Sequence, residues 1–178
     1  MTNTTDPFAE WYNAPLSVDD WIAGGSLILL TLFFVPFYAV VGYILFKADK
    51  EIIGFRYLVS AAFSDILVML QYGLLDGLCI VLKSPPTAVA SRGALQVYID
   101  WVWFAMCMHY PLIAWSRLVA IQFPYYFRGQ SRGVSYAICT LPYILSAVQV
   151  AATHWQSFYV TFYFEPAMYG MLAEEFPK

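Results

Sequence analysis

Four long apolar stretches, separated by short clusters of charged residues, dominate the sequence. The first and the last, at 21–46 and 134–153, contain no charged residue, and the two between them contain few. Because about 20 consecutive apolar residues suffice for a helix to cross a bilayer, each stretch is long enough for one span. The pattern predicts transmembrane helices at about 22–46, 57–82, 94–123 and 134–153.

These runs are continuous, whereas a transmembrane barrel needs segments of roughly ten residues with alternating polarity. The residues after 153 contain no run of about 18 apolar residues, so we expect no fifth span there. The fold class predicted is therefore all-α: an integral membrane helical bundle in one domain, 1–178, with a tail at 154–178 outside the bilayer.

The composition agrees with a bilayer as the main partner, because 61% of the residues are hydrophobic and only 12% are charged. Soluble domains have about 25% charged residues. A net charge of −3 gives no basic surface for nucleic acid. The two histidines form no metal-binding motif, and the chain has neither a GxSxG motif nor a phosphate-binding glycine loop. We therefore expect no enzyme activity and no cofactor.

The basic residues predict the orientation, since cytosolic loops carry an excess of lysine and arginine. Six of the nine lie in or beside the loops at 47–56 and 124–133, and three lie on the other side. These loops are therefore predicted in the cytosol, and the N-terminus and the tail outside. Asn3 begins an Asn-x-Thr glycosylation sequon, which agrees with an N-terminus outside the cell.

Two aspartates interrupt the second apolar stretch. Asp65 and Asp76 are eleven positions apart, close to three helical turns, so we expect them on one face with Tyr72 between them. Ionisable residues in a span face the bundle interior or a cavity. Asp65 lies deep in the span, whereas Asp76 lies nearer the outer end, where water reaches an interfacial side chain.

A stripe at helical spacing runs along the third stretch, and we expect it to be mostly the packing face of that helix. Its members are Ile99, Trp103, Met106, Tyr110 and Arg117.

The string from Ser116 to Pro124, Ser-Arg-Leu-Val-Ala-Ile-Gln-Phe-Pro, ends this third stretch. It resembles the end of the third helix in rhodopsin-like G-protein-coupled receptors, where an acidic residue, Arg and Tyr are followed by Pro seven residues after the Arg. Asp65 stands where that family has its buried second-helix aspartate. The resemblance implies that Ser116, Arg117, Leu118 and Pro124 form the motif that contacts a heterotrimeric G protein.

The chain is more closely similar to nematode serpentine chemoreceptors of classes T and X, over about residues 22–153. Val35-Pro36-Phe37-Tyr38 resembles their Pro-Leu-Tyr motif, and a short charged loop leads to Gly54-Phe55-Arg56-Tyr57. This resemblance implies a chemosensory receptor of the plasma membrane or sensory cilium, with a small-molecule pocket in the outer half of the bundle. The third-helix candidates for that pocket are Tyr98, Ile99, Asp100, Trp103 and Met106.

Some positions depart from the rhodopsin-like pattern. Met106 replaces the serine that partners the second-helix aspartate in a sodium site, and Ile99 replaces the aspartate of amine receptors, so neither sodium at Asp65 nor an amine ligand is expected. Since a serpentine receptor has seven helices, we expect this chain to be the N-terminal portion of one. The alternatives are a transporter or channel subunit with Asp65 and Asp76 along an ion path, and a non-signalling scaffold.

Overall fold

The structure is a computed structural model and describes residues 9–85, 92–156 and 162–173. Its elements, in chain order, are α1 (Ala9–Asn13), α2 (Val18–Ala48), α3 (Gly54–Met69), a π-helical segment (Leu70–Leu75), α4 (Asp76–Leu82), α5 (Arg92–Gln122), α6 (Pro124–Arg128), α7 (Arg132–His154), β1 (Phe162–Glu165) and β2 (Gly170–Ala173).

Four helices within the described residues are long and apolar enough to cross a membrane. They are Val18–Ala48, Gly54–Leu82, Gly93–Gln122 and Arg132–His154, the second being α3, the π-helical segment and α4 in one continuous helix. The predicted all-α bundle with four helices able to cross a membrane is therefore confirmed, and each helix matches one predicted span. We call the end that carries residues 49–53 and 123–131 the loop end, and the opposite end, which carries β1 and β2, the hairpin end.

Polar side chains fix the starts of α2 and α7. The Ser17 hydroxyl accepts a hydrogen bond from the backbone N–H of Asp20 at 3.1 Å, and the Asp20 carboxylate accepts one from the backbone N–H of Ser17 at 2.8 Å. This reciprocal capping box satisfies two of the backbone donors that a helix start leaves free. Ser131 caps α7 through the backbone N–H of Val134. Both helices therefore begin before the apolar runs themselves.

The α2 helix lies close against the π-helical segment and α4. A Cβ added to Gly77 would lie 3.0 Å from the Gly24 carbonyl oxygen, and one added to Gly73 would collide with the Thr31 hydroxyl. Gly73 and Gly77 form a GxxxG motif, and small residues at this spacing let two membrane helices approach each other. The backbones of α2 and α4 therefore meet without intervening side chains.

The α5 helix packs between α3 and α7. The buried residues of this helix include Ile99, Val102, Ala105, His109 and Ser116. The stripe expected from the sequence was wrong for its large aromatic residues, since Trp103 is 45% exposed and Tyr110 is 62% exposed. Small residues allow the close helix contact, so the bulky ones lie on the other face.

At the hairpin end, several segments meet at one buried carboxylate. Asp20 pairs with Lys83 at 2.9 Å and accepts a hydrogen bond from the Tyr169 hydroxyl at 2.8 Å. Lys83, which ends α4 in the left-handed conformation, also lies over the Trp11 ring, 3.4 Å from its centroid. Tyr169 belongs to the turn of the antiparallel hairpin β1–β2, which the sequence pattern did not predict.

Candidate functional site

A fully buried carboxylate organises the loop end. Asp49 directly follows α2, and its two oxygens accept hydrogen bonds from Nη2 of Arg132, the first residue of α7, at 2.7 and 2.8 Å. The Tyr136 hydroxyl donates a third at 2.7 Å. A bidentate arginine–carboxylate pair fixes orientation as well as distance. We call this group of Asp49, Arg132 and Tyr136 the Asp49 clamp.

The surroundings of Asp49 set its protonation. Burial alone would raise the pKa of this carboxyl, because it disfavours the charged form. The hydrogen bonds from Tyr136 and Arg132, together with the positive charges of Arg132 and Arg56, outweigh that effect and hold the Asp49 pKa below its ordinary value of 3.8. The clamp is therefore an ionised pair at neutral pH.

Arg56 lies next to the clamp and is only 4% exposed. Its guanidinium donates to the Asp49 carbonyl at 3.2 Å, to the Gln130 carbonyl at 3.1 Å and to the Ser135 hydroxyl at 2.9 Å. The neighbouring Tyr57 hydroxyl donates to the Gln130 side chain at 2.8 Å. Together with the clamp, these bonds tie residues 49–53 to residues 123–131.

This network was not predicted from the sequence. Arg56 and Arg132 counted as positive charges for the orientation, Arg56 also belongs to the segment Gly54-Phe55-Arg56-Tyr57 of the resemblance, and Asp49 had no predicted role. The available signal was that Asp49 is an acidic residue within the basic loop at 47–56. Nothing in the sequence indicates which arginine its carboxylate contacts.

A cleft of about 780 Å³ opens beside this network. Residues 50–56, the last turns of α5 and residues 127–130 form its walls. Four basic residues line it, Lys50, Arg56, Arg117 and Arg128, and one acidic residue, Glu51. Arg56 is bonded within the protein, whereas the side chains of Lys50, Glu51, Arg117 and Arg128 make no hydrogen bond or ion pair within the described part of the chain. The cleft therefore has a net positive lining, and the donors of Lys50, Arg117 and Arg128 are available to a ligand.

The structure places two of the four predicted coupling residues at this cleft. Arg117 is exposed on its wall, and Ser116, which is 4% exposed, donates its hydroxyl to the Ile113 carbonyl at 2.8 Å. Leu118 is 51% exposed and is not among the lining residues. Pro124 begins α6, a position that proline favours because its missing N–H is not needed there.

The middle of the bundle contains a hydrogen-bonded histidine. His109 is 2% exposed, and its Nδ1 lies 2.6 Å from the Ala105 carbonyl oxygen while its Nε2 lies 2.8 Å from the Ser60 hydroxyl. Since a carbonyl only accepts, Nδ1 carries the proton and Nε2 accepts from Ser60. Tyr143 packs its ring edge-to-face on the imidazole and donates its hydroxyl to the Ser60 carbonyl. These contacts join α3, α5 and α7 and give His109 a structural role.

The expectation that Asp65 and Asp76 share a face was wrong, and the π-helical segment is the reason. The backbone N–H of Asp76 donates to the carbonyl of Gln71, five residues earlier, so this turn holds one residue more than an α-helical turn. One extra residue rotates the following helix by about 100°. As a result, Asp76 is 5% exposed whereas Asp65 is only partly buried.

Asp100, one of the predicted pocket residues, is buried against polar neighbours. It accepts a hydrogen bond from the Gln96 amide at 3.0 Å and lies 2.9 Å from His154 Nε2. The contact with His154 joins α5 to α7 at the hairpin end. Both carboxylate oxygens of Asp100 therefore have a partner within the protein.

The other pocket candidates lie on different sides of α5. Ile99 is 4% exposed, whereas Tyr98 and Trp103 are 40% and 45% exposed. Residues five positions apart point about 140° away from each other in an α-helix, so Tyr98 and Trp103 cannot line one narrow pocket. Trp103, which packs edge-to-face on Tyr72, shares its exposed face with the partly buried Met106.

No protein-family model matches the chain, and no curated protein matches it. Within residues 9–85, 92–156 and 162–173, no group of three His, Cys, Asp or Glu residues could hold a metal ion. The predicted glycosylation site at Asn3 lies outside the described residues.

Proposed function

We propose that the chain is the four-helix part of a chemosensory serpentine receptor that couples to a heterotrimeric G protein through Arg117. One observation carries the proposal: Arg117 is exposed on the wall of a 780 Å³ cleft at the loop end. Its guanidinium has no partner within the described residues, and a planar group with five donors suits contact with carbonyl and carboxylate oxygens of a bound segment.

The loop end faces the cytosol in this proposal. Six basic residues support that orientation: Lys47, Lys50, Arg56, Arg117, Arg128 and Arg132. A cytosolic excess of such residues is the usual determinant of topology.

The ligand is a small and mostly apolar molecule held in the hairpin half of the bundle. The exposed face of α5 supports this assignment through Trp103 and Met106, because binding pockets are lined mainly by apolar and aromatic side chains. Trp103 also contacts Tyr72 of the π-helical segment, with 6.0 Å between the ring centroids. A ligand on Trp103 would thereby contact both the second and the third spanning helix.

The test is binding of a nucleotide-free G-protein heterotrimer to the purified chain in lipid nanodiscs. We expect Arg117→Ala to weaken binding by about tenfold, the value of one hydrogen-bonded charge. Lys47→Ala is the matched control, because Lys47 lies at the same end, over the Tyr43 ring, and does not line the cleft. Equal binding by the Arg117→Ala variant and the unchanged chain would contradict the proposal.

A further inference from the structure

We propose that the cleft at the loop end binds the phosphorylated headgroup of an anionic lipid. Three basic side chains converge on it from three different elements: Lys50 from the segment after α2, Arg117 from α5 and Arg128 from α6. Arg56 also lines the cleft, so with the single carboxylate of Glu51 the lining carries a net charge of +3 (four positive charges minus one).

This charge favours a phosphomonoester. A phosphate monoester carries about −1.5 to −2 charges at neutral pH and offers several strong acceptor oxygens. Two arginines can each donate two parallel hydrogen bonds to such a group. A headgroup with a single net negative charge would neutralise only a third of the net charge of the lining, so we expect phosphorylated inositol lipids to bind more tightly than phosphatidylserine.

The position of the cleft favours a lipid over a soluble phosphate compound. Lys50 lies two residues after the end of α2, and Arg117 lies within the last two turns of α5. The charges are therefore near the ends of the spanning helices, at the depth of lipid headgroups. Tyr125 and Tyr126 of the adjoining α6 are 92% and 65% exposed, and exposed tyrosines are typical of the membrane interface.

The same walls also offer apolar surface. Ile52, Phe55, Leu58 and Ile113 line the cleft beside the basic residues. An acyl chain could follow these side chains towards the bilayer while the headgroup contacts the cations. A volume of about 780 Å³ lies within the range of specific ligand pockets, about 300–1,000 Å³.

The site is held in shape before any lipid binds. The Asp49 clamp and the three hydrogen bonds of Arg56 join the two connecting segments that form its walls. Their donors are used within the protein, which leaves Lys50, Arg117 and Arg128 for the ligand. A preorganised site loses less entropy when it binds.

The experiment is a titration of the full 178-residue chain in a neutral detergent, followed by native mass spectrometry. Four probes are compared: dioctanoyl phosphatidylinositol bisphosphate, dioctanoyl phosphatidylserine, free inositol trisphosphate and an acidic peptide. The lipid proposal predicts the tightest binding for the first probe. Tighter or equal binding of free inositol trisphosphate would overturn the lipid assignment, and tighter binding of the peptide would assign the cleft to a protein partner.

The variants avoid Arg117, so that the lipid site and the G-protein contact are tested separately. Each cation removed should weaken binding by about fivefold, and the double variant Lys50→Gln, Arg128→Gln by about 25-fold. Lys47→Gln is the control for charge outside the cleft and should change binding less than twofold. An equal loss of affinity in Lys47→Gln would show that the lipid responds to the overall positive charge of the loop end and not to the cleft, and would overturn the proposal.

Glu51→Gln is expected to strengthen lipid binding, whereas the variants above weaken it. It removes the one carboxylate of the lining, so we expect phosphatidylinositol bisphosphate to bind about fivefold more tightly. A gain in affinity cannot arise from misfolding. Unchanged or weaker binding in this variant would contradict the assignment, whatever the double variant shows.

Discussion

Arg132 contacts both carboxylate oxygens of Asp49, at 2.7 and 2.8 Å, although 83 positions separate the two residues. The pair joins the end of the first spanning helix to the start of the fourth. Because Asp49 has no exposed surface and also accepts from Tyr136, the contact fixes how the two connecting segments lie against each other.

Asp49→Asn should lower the thermal stability of the detergent-solubilised chain by several degrees, because the buried position keeps its volume but loses its charge. A double-mutant cycle with Arg132→Gln should be strongly non-additive, since either change alone breaks the same pair. Glu51→Gln, an exposed carboxylate two positions away, is the control and should have little effect. Additive losses would argue against a direct pair.

The contribution of Asp49 should depend on pH in a defined direction. Its pKa is lower in the folded chain than the ordinary value of 3.8, so the unfolded chain binds the proton more readily. The stabilisation is fully present above 3.8 and is lost as the pH falls through the folded pKa. The difference in melting temperature between the unchanged chain and Asp49→Asn should therefore be constant from about pH 7 to about pH 5 and shrink below about pH 4. A difference that grew on acidification would contradict this assignment.

Gly77→Ala should destabilise the contact between α2 and α4. The new methyl group would lie 3.0 Å from the Gly24 carbonyl and 2.8 Å from Ile28 Cγ1, and backbone cannot move aside as a flexible side chain can. Overpacking of this kind costs about 1–3 kcal/mol. Gly25→Ala is the matched control, since a Cβ there would meet no atom within 4 Å. Unfolding in a dodecyl sulfate titration would measure both, and similar stabilities would contradict the close approach.

The positions of the spans could be predicted from the sequence because a charged residue in lipid costs so much that charges mark the helix ends. The pairing of Asp49 with Arg132 could not, since several loop arginines were equally available to that carboxylate. The motif Gly73-x-x-x-Gly77 is a sequence signal for close helix packing, and it predicts the contact between α2 and α4 that the structure shows.

The π-helical segment explains the main error at the site. An expectation based on α-helical periodicity places Asp65 and Asp76 together, and one inserted residue is enough to separate them. The segment Leu70–Leu75 contains no proline and no charged residue, so its sequence does not distinguish a π-helical turn from an α-helical one. Similarly, the helical spacing of Trp103 and Tyr110 predicted a packing face, and both side chains are exposed, because periodicity alone does not say whether a stripe is packed or exposed.

Asp76→Asn should stabilise the 178-residue chain. The carboxylate is 5% exposed and, within the described residues, makes no hydrogen bond or ion pair, and an unpaired buried charge is unfavourable. We expect a gain of about 1 kcal/mol or more in the free energy of unfolding. Asp65→Asn should have a smaller effect because Asp65 is only partly buried. Loss of stability in the Asp76→Asn variant would reveal a partner for this carboxylate.

Ser116→Asp should weaken G-protein binding if Arg117 is the contact residue. In the chain as it stands, the Ser116 hydroxyl is bonded to the Ile113 carbonyl, and no described carboxylate pairs with Arg117. A carboxylate at position 116 would lie next to the guanidinium and compete with the oxygens of the G protein. We expect binding to fall several-fold in the nanodisc assay. Ser116→Asn, which is similar in size but uncharged, separates this electrostatic effect from altered packing at a position that is only 4% exposed. Equal losses in the two variants would assign the effect to packing, whereas a loss confined to Ser116→Asp would support a free Arg117 as the contact residue.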